Sequence, residues 1–328
     1  MLGYVVRRLI LMIPTLFAIS IVTFIIIQLP PGDYLTSVIM TSAASGESID
    51  QAELAQLEAR YGLGDPVYVQ YFTWLWGLVQ GDFGWSFQHN RPVSELIWDR
   101  IGWSFVISVL SLVVVWFVAF PLGIYAAVRQ YSWGDYVTAL FGFIGLATPD
   151  FLLALLLLYV SFAWFNQSVG GLFSPEFIET AWSWARFGDL LQHLWIPVVI
   201  LGTNGIAGLT RIMRANLLDE LRKPYVTTAR AKGVSERRLI FKYPVRIAAN
   251  PFISTSGGLI AGLISGEVIV SNVLSLPTTG PLLLGALRSQ DMYLAASFIM
   301  ILSILTLIGV LLSDIALAWF DPRIRYTR

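Results

Sequence analysis

Six stretches of this chain, residues 9–29, 101–128, 136–165, 193–210, 252–273 and 294–320, are almost wholly apolar. A hydrocarbon layer about 30 Å thick is crossed by about 20 helical residues, and backbone inside it has no water to bond to. Runs of that length therefore restrict the chain to membrane-spanning helices. Composition agrees, with 56% hydrophobic and 13% charged residues and a mean hydropathy of +0.70, outside the range of soluble domains. The expected fold is all-α and polytopic, with six transmembrane helices. The third and sixth runs contain Asp150 and Asp314 and are long enough to tilt or break. Gly145 and Pro149 mark the expected break in the third.

Total charge is uninformative, because 21 Lys and Arg balance 21 Asp and Glu. Its distribution is not. With an inside N-terminus, the inside segments 1–8, 129–135, 211–251 and 321–328 hold sixteen of the 21 basic residues. Only Arg60, Arg91, Arg100, Arg186 and Arg288 fall outside. That bias places both termini in the cytoplasm. The first run follows Arg7 and Arg8 and lacks a small-residue cleavage site, so residues 1–29 are expected to be an uncleaved anchor helix. Segment 30–100 carries nine acidic and three basic residues and is too long for a bare connector. It is expected to fold over the outer mouth as an extracytoplasmic subdomain, with Ser48 capping a helix that ends at Gly62. The core is then 101–320 and the tail 321–328. Twelve Trp suit interfacial belts, while zero Cys and two His exclude a disulfide scaffold and argue against a His/Cys metal site.

The strongest local pattern lies between the fourth and fifth runs. From Arg211 to Arg246 the chain has ten Lys or Arg against three acids. Within 222–246, Pro224 is pre-set for a first helical turn and Gly233 for a left-handed helix end. Ser235 offers its hydroxyl as the N-cap of a second helix. A helix, a glycine turn and a helix make a stiff knob. The plainer reading is a solvated, lipid-facing basic loop. Nucleic acid is not expected, because the only aromatics are Tyr225, Phe241 and Tyr243.

No Gly-x-x-x-x-Gly-Lys-Ser/Thr, Gly-x-Ser-x-Gly or His-Glu-x-x-His pattern occurs, so no catalytic residues are expected and nucleotide hydrolysis by a phosphate loop is excluded. Carboxylates at membrane depth are costly unless they meet water or a partner. Asp150 follows Pro149 and precedes Phe151; these three and Glu267 of the fifth run are candidates for a translocation path. More plainly, Asp150 satisfies backbone groups freed by Pro149, and Asp314 reaches the nearby interface. Gly258, Gly262 and Gly266 leave one helix face bare, as close helix packing requires. A paired use of Asp150 and Asp314 as an intramembrane aspartyl protease is the remote alternative. The Tyr-Asp and Gly-x-Gly-Asp motifs of that class are absent.

Several ordered motifs closely resemble the inner-membrane permeases of dipeptide and oligopeptide ATP-binding-cassette importers, along nearly the whole chain. Arg7-Arg8, Ile13-Pro14-Thr15-Leu16 and Leu29-Pro30-Pro31-Gly32-Asp33 are similar to that family's opening span. Tyr61-Gly62-Leu63-Gly64-Asp65-Pro66, Gln70-Tyr71 and Gly81-Asp82-Phe83-Gly84-Trp85-Ser86-Phe87 resemble its outer loop. Thr228-Ala229-Arg230-Ala231-Lys232-Gly233 resembles its coupling loop, and Asp321-Pro322-Arg323-Ile324-Arg325-Tyr326 its ending.

The resemblance implies a type I permease subunit of a bacterial inner membrane that moves peptides inward by alternating access. It implies a heterodimer with a second homologous permease, two ATP-binding-cassette ATPase subunits and an extracytoplasmic substrate-binding protein. ATP and Mg would sit on the ATPases, with no cofactor on this chain. Pro224, Tyr225, Thr227, Thr228, Ala229, Arg230, Ala231, Lys232 and Gly233 would form the coupling helix seated in one ATPase. Tyr243-Pro244-Val245-Arg246 departs from the more usual His-Ala-Leu-Lys. Ser271-Asn272 and Thr278-Thr279-Gly280 depart from Glu-Thr and Gly-Leu-Gly. Family members that carry oligosaccharides, nickel complexes or opines keep those substrates open.

Overall fold

The computed structural model describes residues 2–29, 64–165 and 170–320, without the side chains of residues 2–4, 257, 258, 260–262, 264–266 and 320. The helix expected after Ser48, the motifs at 30–33 and 61–63 and the tail 321–328 lie outside the described residues. The described chain is helical with one small hairpin. The elements are α1 (Leu2–Gln28), α2 (Val67–Gln80), β1 (Trp85–Ser86), β2 (Arg91–Pro92), α3 (Val93–Val128), α4 (Trp133–Ala147) and α5 (Asp150–Phe165). They continue with α6 (Trp184–Leu221), α7 (Pro224–Ala231), α8 (Glu236–Lys242), α9 (Pro244–Val273), α10 (Thr279–Arg288) and α11 (Met292–Phe320).

Four of these, α1, α3, α6 and α11, are long and apolar enough to cross a membrane, and α4 with α5 makes a fifth if counted as one broken span. The break has a local cause. Pro149 cannot donate a backbone hydrogen bond and disfavours helix at the residue before it, so α4 ends at Thr148. The amides of Leu152 and Leu153 then turn back to the Pro149 carbonyl at 3.0 and 3.1 Å. The axis bends by 105°. Gly145 takes no part in the break. It is helical inside α4, where a Cβ would come 2.7 Å from Thr203 Cγ2 of α6. The fourth apolar run also proves shorter than its helix. α6 covers 38 residues, its start capped by Ser183 accepting from the Arg186 amide at 3.2 Å. Charged residues bounded the apolar run, but a charge does not end a helix when a partner receives it.

The described residues fall into two compact units, one within 7–102 and 278–305, the other within 2–6, 103–277 and 306–320. In the first, Phe24, Trp74, Phe87, Met292, Ala296 and Met300 form one apolar cluster. The Trp74 indole donates to Ser297 Oγ at 3.2 Å, and that hydroxyl donates to the Phe83 carbonyl at 3.1 Å. Asp291 is fully enclosed. Its carboxylate accepts from Ser86 Oγ at 2.6 Å, from the Gln88 amide at 3.1 Å and from the Leu294 amide at 3.2 Å, so one side chain caps α11 and ties down the hairpin. Burial pushes its carboxyl above the ordinary range, against the pull of those bonds. α2 and α10, which no sequence pattern announced, belong to this unit.

The second unit is built around α6, whose buried face runs from Asp189 to Leu217. Ile196, Ile200, Leu263, Val270 and Leu274 form one part of its core, and Val115, Leu209, Met213, Leu217 and Phe252 another. Helix α3 comes unusually close to α6 at Gly123, where a Cβ would stand 2.6 Å from Met213 Cβ and 3.0 Å from the Thr210 carbonyl. Lipid supplies little drive for helices to associate, so close backbone approach of this kind supplies much of the contact energy. The glycines expected to do so, Gly258, Gly262 and Gly266, all fall within α9, but their surroundings lie outside the described side chains.

Candidate functional site

The basic segment after α6 folds as a helix, a glycine turn and a helix. Pro224 occupies the first turn of α7, where its missing N–H would have had no partner. At the other end Gly233 has φ 78°. Its amide bonds to the Arg230 carbonyl at 3.0 Å and the Val234 amide to the Ala229 carbonyl at 3.3 Å. That pair of crossed bonds is a Schellman cap, which requires a left-handed residue at the position Gly233 holds. A Cβ at Gly233 would meet no neighbour within 4 Å, so the requirement is one of backbone conformation alone.

Two buried side chains fasten the knob, Val226 of α7 and Leu239 of α8, each fully enclosed. Tyr225 adds a hydrogen bond from its hydroxyl to Glu220 Oε2 at 2.6 Å, tying α7 to the end of α6. Burial first, and then the Glu220 carboxylate, push the Tyr225 phenol well above its ordinary range. Arg230 bonds Glu236 through two nitrogens across the glycine turn, Nη2 to Oε2 at 3.1 Å. That contact raises the Arg230 guanidinium and lowers the Glu236 carboxyl. Thr227, Thr228, Arg230, Ala231, Lys232 and Gly233 are exposed, and Ala229 is half-buried. The nine residues expected to couple thus lie on one continuous, mostly exposed surface held at both ends by hydrogen bonds.

The side-chain cap expected at the start of α8 is not made. Ser235 does occupy the N-cap of α8, but its hydroxyl makes no capping bond. The Leu239 amide bonds instead to the Ser235 backbone carbonyl at 2.9 Å. Two of the ten basic residues are also claimed by the helices rather than the knob. Arg214 pairs with Asp135, and the Arg211 guanidinium lies 5.5 Å from the centre of the Phe143 ring. Asp135 itself was missed, because a lone acid at the start of an apolar run carries no signal of its partner.

At the bend between α4 and α5, Asp150 is half-buried and accepts from Asn204 Nδ2 of α6 at 2.7 Å. Phe151 beside it is 46% exposed. Glu267 on α9 is enclosed, at 1% exposure. Asp314 is half-buried on α11.

Long apolar helices, a span broken at a proline with a carboxylate beside it, and a braced basic helix pair define a mostly helical polytopic membrane protein. Residues 1–110 match the family described as the binding-protein-dependent transport system membrane component, N-terminal part, and residues 119–326 match the family described as the binding-protein-dependent transport system inner membrane component. The chain belongs to this family of inner-membrane permeases, which act with ATPase and substrate-binding partners. It is 37% identical to the oligopeptide transport system permease protein AppB of Bacillus subtilis over 330 residues, 99% of this chain and 100% of the relative. It is 30% identical to the oligopeptide transport system permease protein OppB of Haemophilus influenzae, over 99% of this chain and 100% of the relative. It is 29% identical to the dipeptide transport system permease protein DppB of Alkalihalophilus pseudofirmus over the same shares.

Proposed function

We propose that this chain is one of two pore-forming subunits of a peptide importer, moving di- and oligopeptides inward by alternating access. The observation that carries this reading is the knob formed by α7, Gly233 and α8. It is locked by a Schellman cap and two buried anchors, yet presents its polar and cationic residues to solvent, as a part that transmits force to a partner must. The peptide substrate rests on the relatives named as oligopeptide and dipeptide permeases.

In this reading α9 supplies the fifth of six spans, both termini are cytoplasmic and residues 1–29, 30–100 and 101–320 act as anchor, outer cover and permease core. The second permease is a homologue of this chain. Two ATPases supply ATP and Mg chemistry, one of them receiving Pro224 to Gly233, and an extracytoplasmic protein delivers the peptide. This chain performs no catalysis and holds no cofactor. The bend at Pro149 borders the path, since carbonyls freed at membrane depth are tolerable only against protein or water. Asp150 would meet the passing cargo.

The test is reconstitution. This chain should co-purify with an ATPase pair and a second permease. With the binding protein, the vesicles should accumulate labelled di- and oligopeptides only when ATP is hydrolysed. Uptake of labelled oligosaccharide with no peptide uptake would overturn the substrate. ATP-independent flux through this chain alone would overturn the coupling.

A further inference from the structure

A cavity of about 910 Å³ opens along α3, α8 and α9. Its walls are almost entirely apolar, with Phe117 and Phe120 from α3 and Phe252 and Ile253 from α9. Phe117 is 79% exposed, and the Phe120 and Phe252 rings meet edge to face at 5.4 Å. The wall is not apolar throughout. Arg129, just beyond the end of α3, and Arg237 of α8 line the same space. Helix α3 rises about 1.5 Å per residue, so Arg129 lies roughly 18 Å along the axis from Phe117. Neither arginine takes part in an ion pair among the described residues. The space is therefore long and apolar, with one cation just past the end of α3 and another on α8 in its lining.

We propose that this cavity seats one anionic phospholipid. Its acyl chains lie along Phe117, Phe120, Phe252 and Ile253, and its phosphate lies between Arg129 and Arg237. A neutral helix from another subunit could fill the apolar part but would gain nothing from the two exposed arginines beside it. A lipid with a negative headgroup satisfies both parts at once. The proposal rests on the preceding functional reading only in placing the arginines at the cytoplasmic leaflet. It makes the lipid a direct neighbour of the coupling knob, since Arg237 belongs to α8.

The experiment uses the whole complex in phosphatidylcholine vesicles doped with phosphatidylglycerol carrying a photoactivatable acyl chain, with labelled peptides of this chain sequenced. Label is expected on residues 116–125 and 249–253. Each cationic contact near the headgroup contributes roughly a factor of five, so Arg129→Gln with Arg237→Gln should lower labelling by roughly twenty-five-fold. Arg129→Lys with Arg237→Lys should keep it, which separates lost charge from lost folding. Arg222→Gln with Arg238→Gln, outside the cavity, should leave it unchanged.

Equal labelling by a phosphatidylcholine probe, or equal loss in the outside pair, overturns the proposal. So does absent label together with a crosslink from Cys at position 120 to the second permease. Peptide uptake is scored separately. Lost labelling with intact uptake removes only the lipid site, whereas kept labelling with no uptake counts only against the importer reading.

Discussion

Arg214 holds Asp135 by two parallel bonds, Nε to Oδ1 and Nη2 to Oδ2, each 2.7 Å long, joining the end of α6 to the start of α4. Asp135 also accepts from the Tyr131 amide at 2.9 Å, so its carboxylate fixes the turn before α4 as well. The two partners are unequally buried, with side-chain exposures of 4% for Asp135 and 32% for Arg214.

That inequality sets the order of two variants. Arg214→Gln leaves an enclosed carboxylate without its cation, whereas Asp135→Asn leaves a guanidinium that can reach water. Breaking a buried pair from one side costs about 3–5 kcal/mol, and the exposed partner softens the second case. Arg214→Gln should therefore lower the melting temperature of the detergent-solubilised subunit more than Asp135→Asn, with the double variant recovering part of the loss. The reverse order, read by fluorescence-detected size exclusion after heating, would show that the pair does not carry this joint.

Gly233→Val should leave the subunit abundant and membrane-inserted while uncoupling ATP hydrolysis from uptake. With nothing near its Cβ, the substitution acts only by straining a left-handed backbone, by about 1–2 kcal/mol. That is enough to loosen a two-turn helix without unfolding the protein. Gly233→Asn, which tolerates this conformation better, should retain more coupling. Uptake and ATPase stimulation both at the parent level for Val would reduce the turn to a connector.

Cys placed at position 150 of this naturally Cys-free chain should react with a small charged thiol reagent. Asp150 is half-buried and meets Asn204 in one direction only, so the bend should be reachable from water in at least one state of the cycle. Reactivity should change when ATP is trapped on the complex. Complete protection in every state would make Asp150 a structural partner of Asn204 and no part of a path.

Tyr225 gives a pH dependence of known sign. Its phenol is raised in the fold by burial and by Glu220, so the folded state favours the protonated, donating form. The stabilisation is fully present below the ordinary tyrosine value of about 10 and is lost as pH rises through the higher folded value. Tyr225→Phe should cost about 1.5 kcal/mol at neutral pH, the lower end of the net worth of a hydrogen bond to a charged group, since Tyr225 is only half-buried. A phenolate difference spectrum between parent and variant should show this tyrosine ionising later than a free one. Ionisation near pH 10 would mean the bond to Glu220 is absent in the membrane.

Long apolar runs, the clustering of basic residues in a few connecting segments and the spacing of Pro224 and Gly233 were all legible in the chain. Each follows from local rules that do not need a fold. Membrane thickness dictates run length, proline fixes φ, and only glycine enters the left-handed region freely. Those rules determined the membrane class, the break at Pro149 and the helix-turn-helix of the basic segment. They also carried the family resemblance, since its motifs are contiguous.

Only the tertiary structure decided which charge meets which. Arg214 and Asp135 are 79 residues apart and Asp291 and Ser86 are 205 apart, and no periodicity links them. Nor could composition choose between Gly145 as a break and Gly145 as a contact with Thr203, because glycine permits both and the neighbouring helix settles the matter. Local sequence determines what each segment can be. The pairing of enclosed charges depends on which surfaces come within 3 Å, and that distance exists only after the helices have packed.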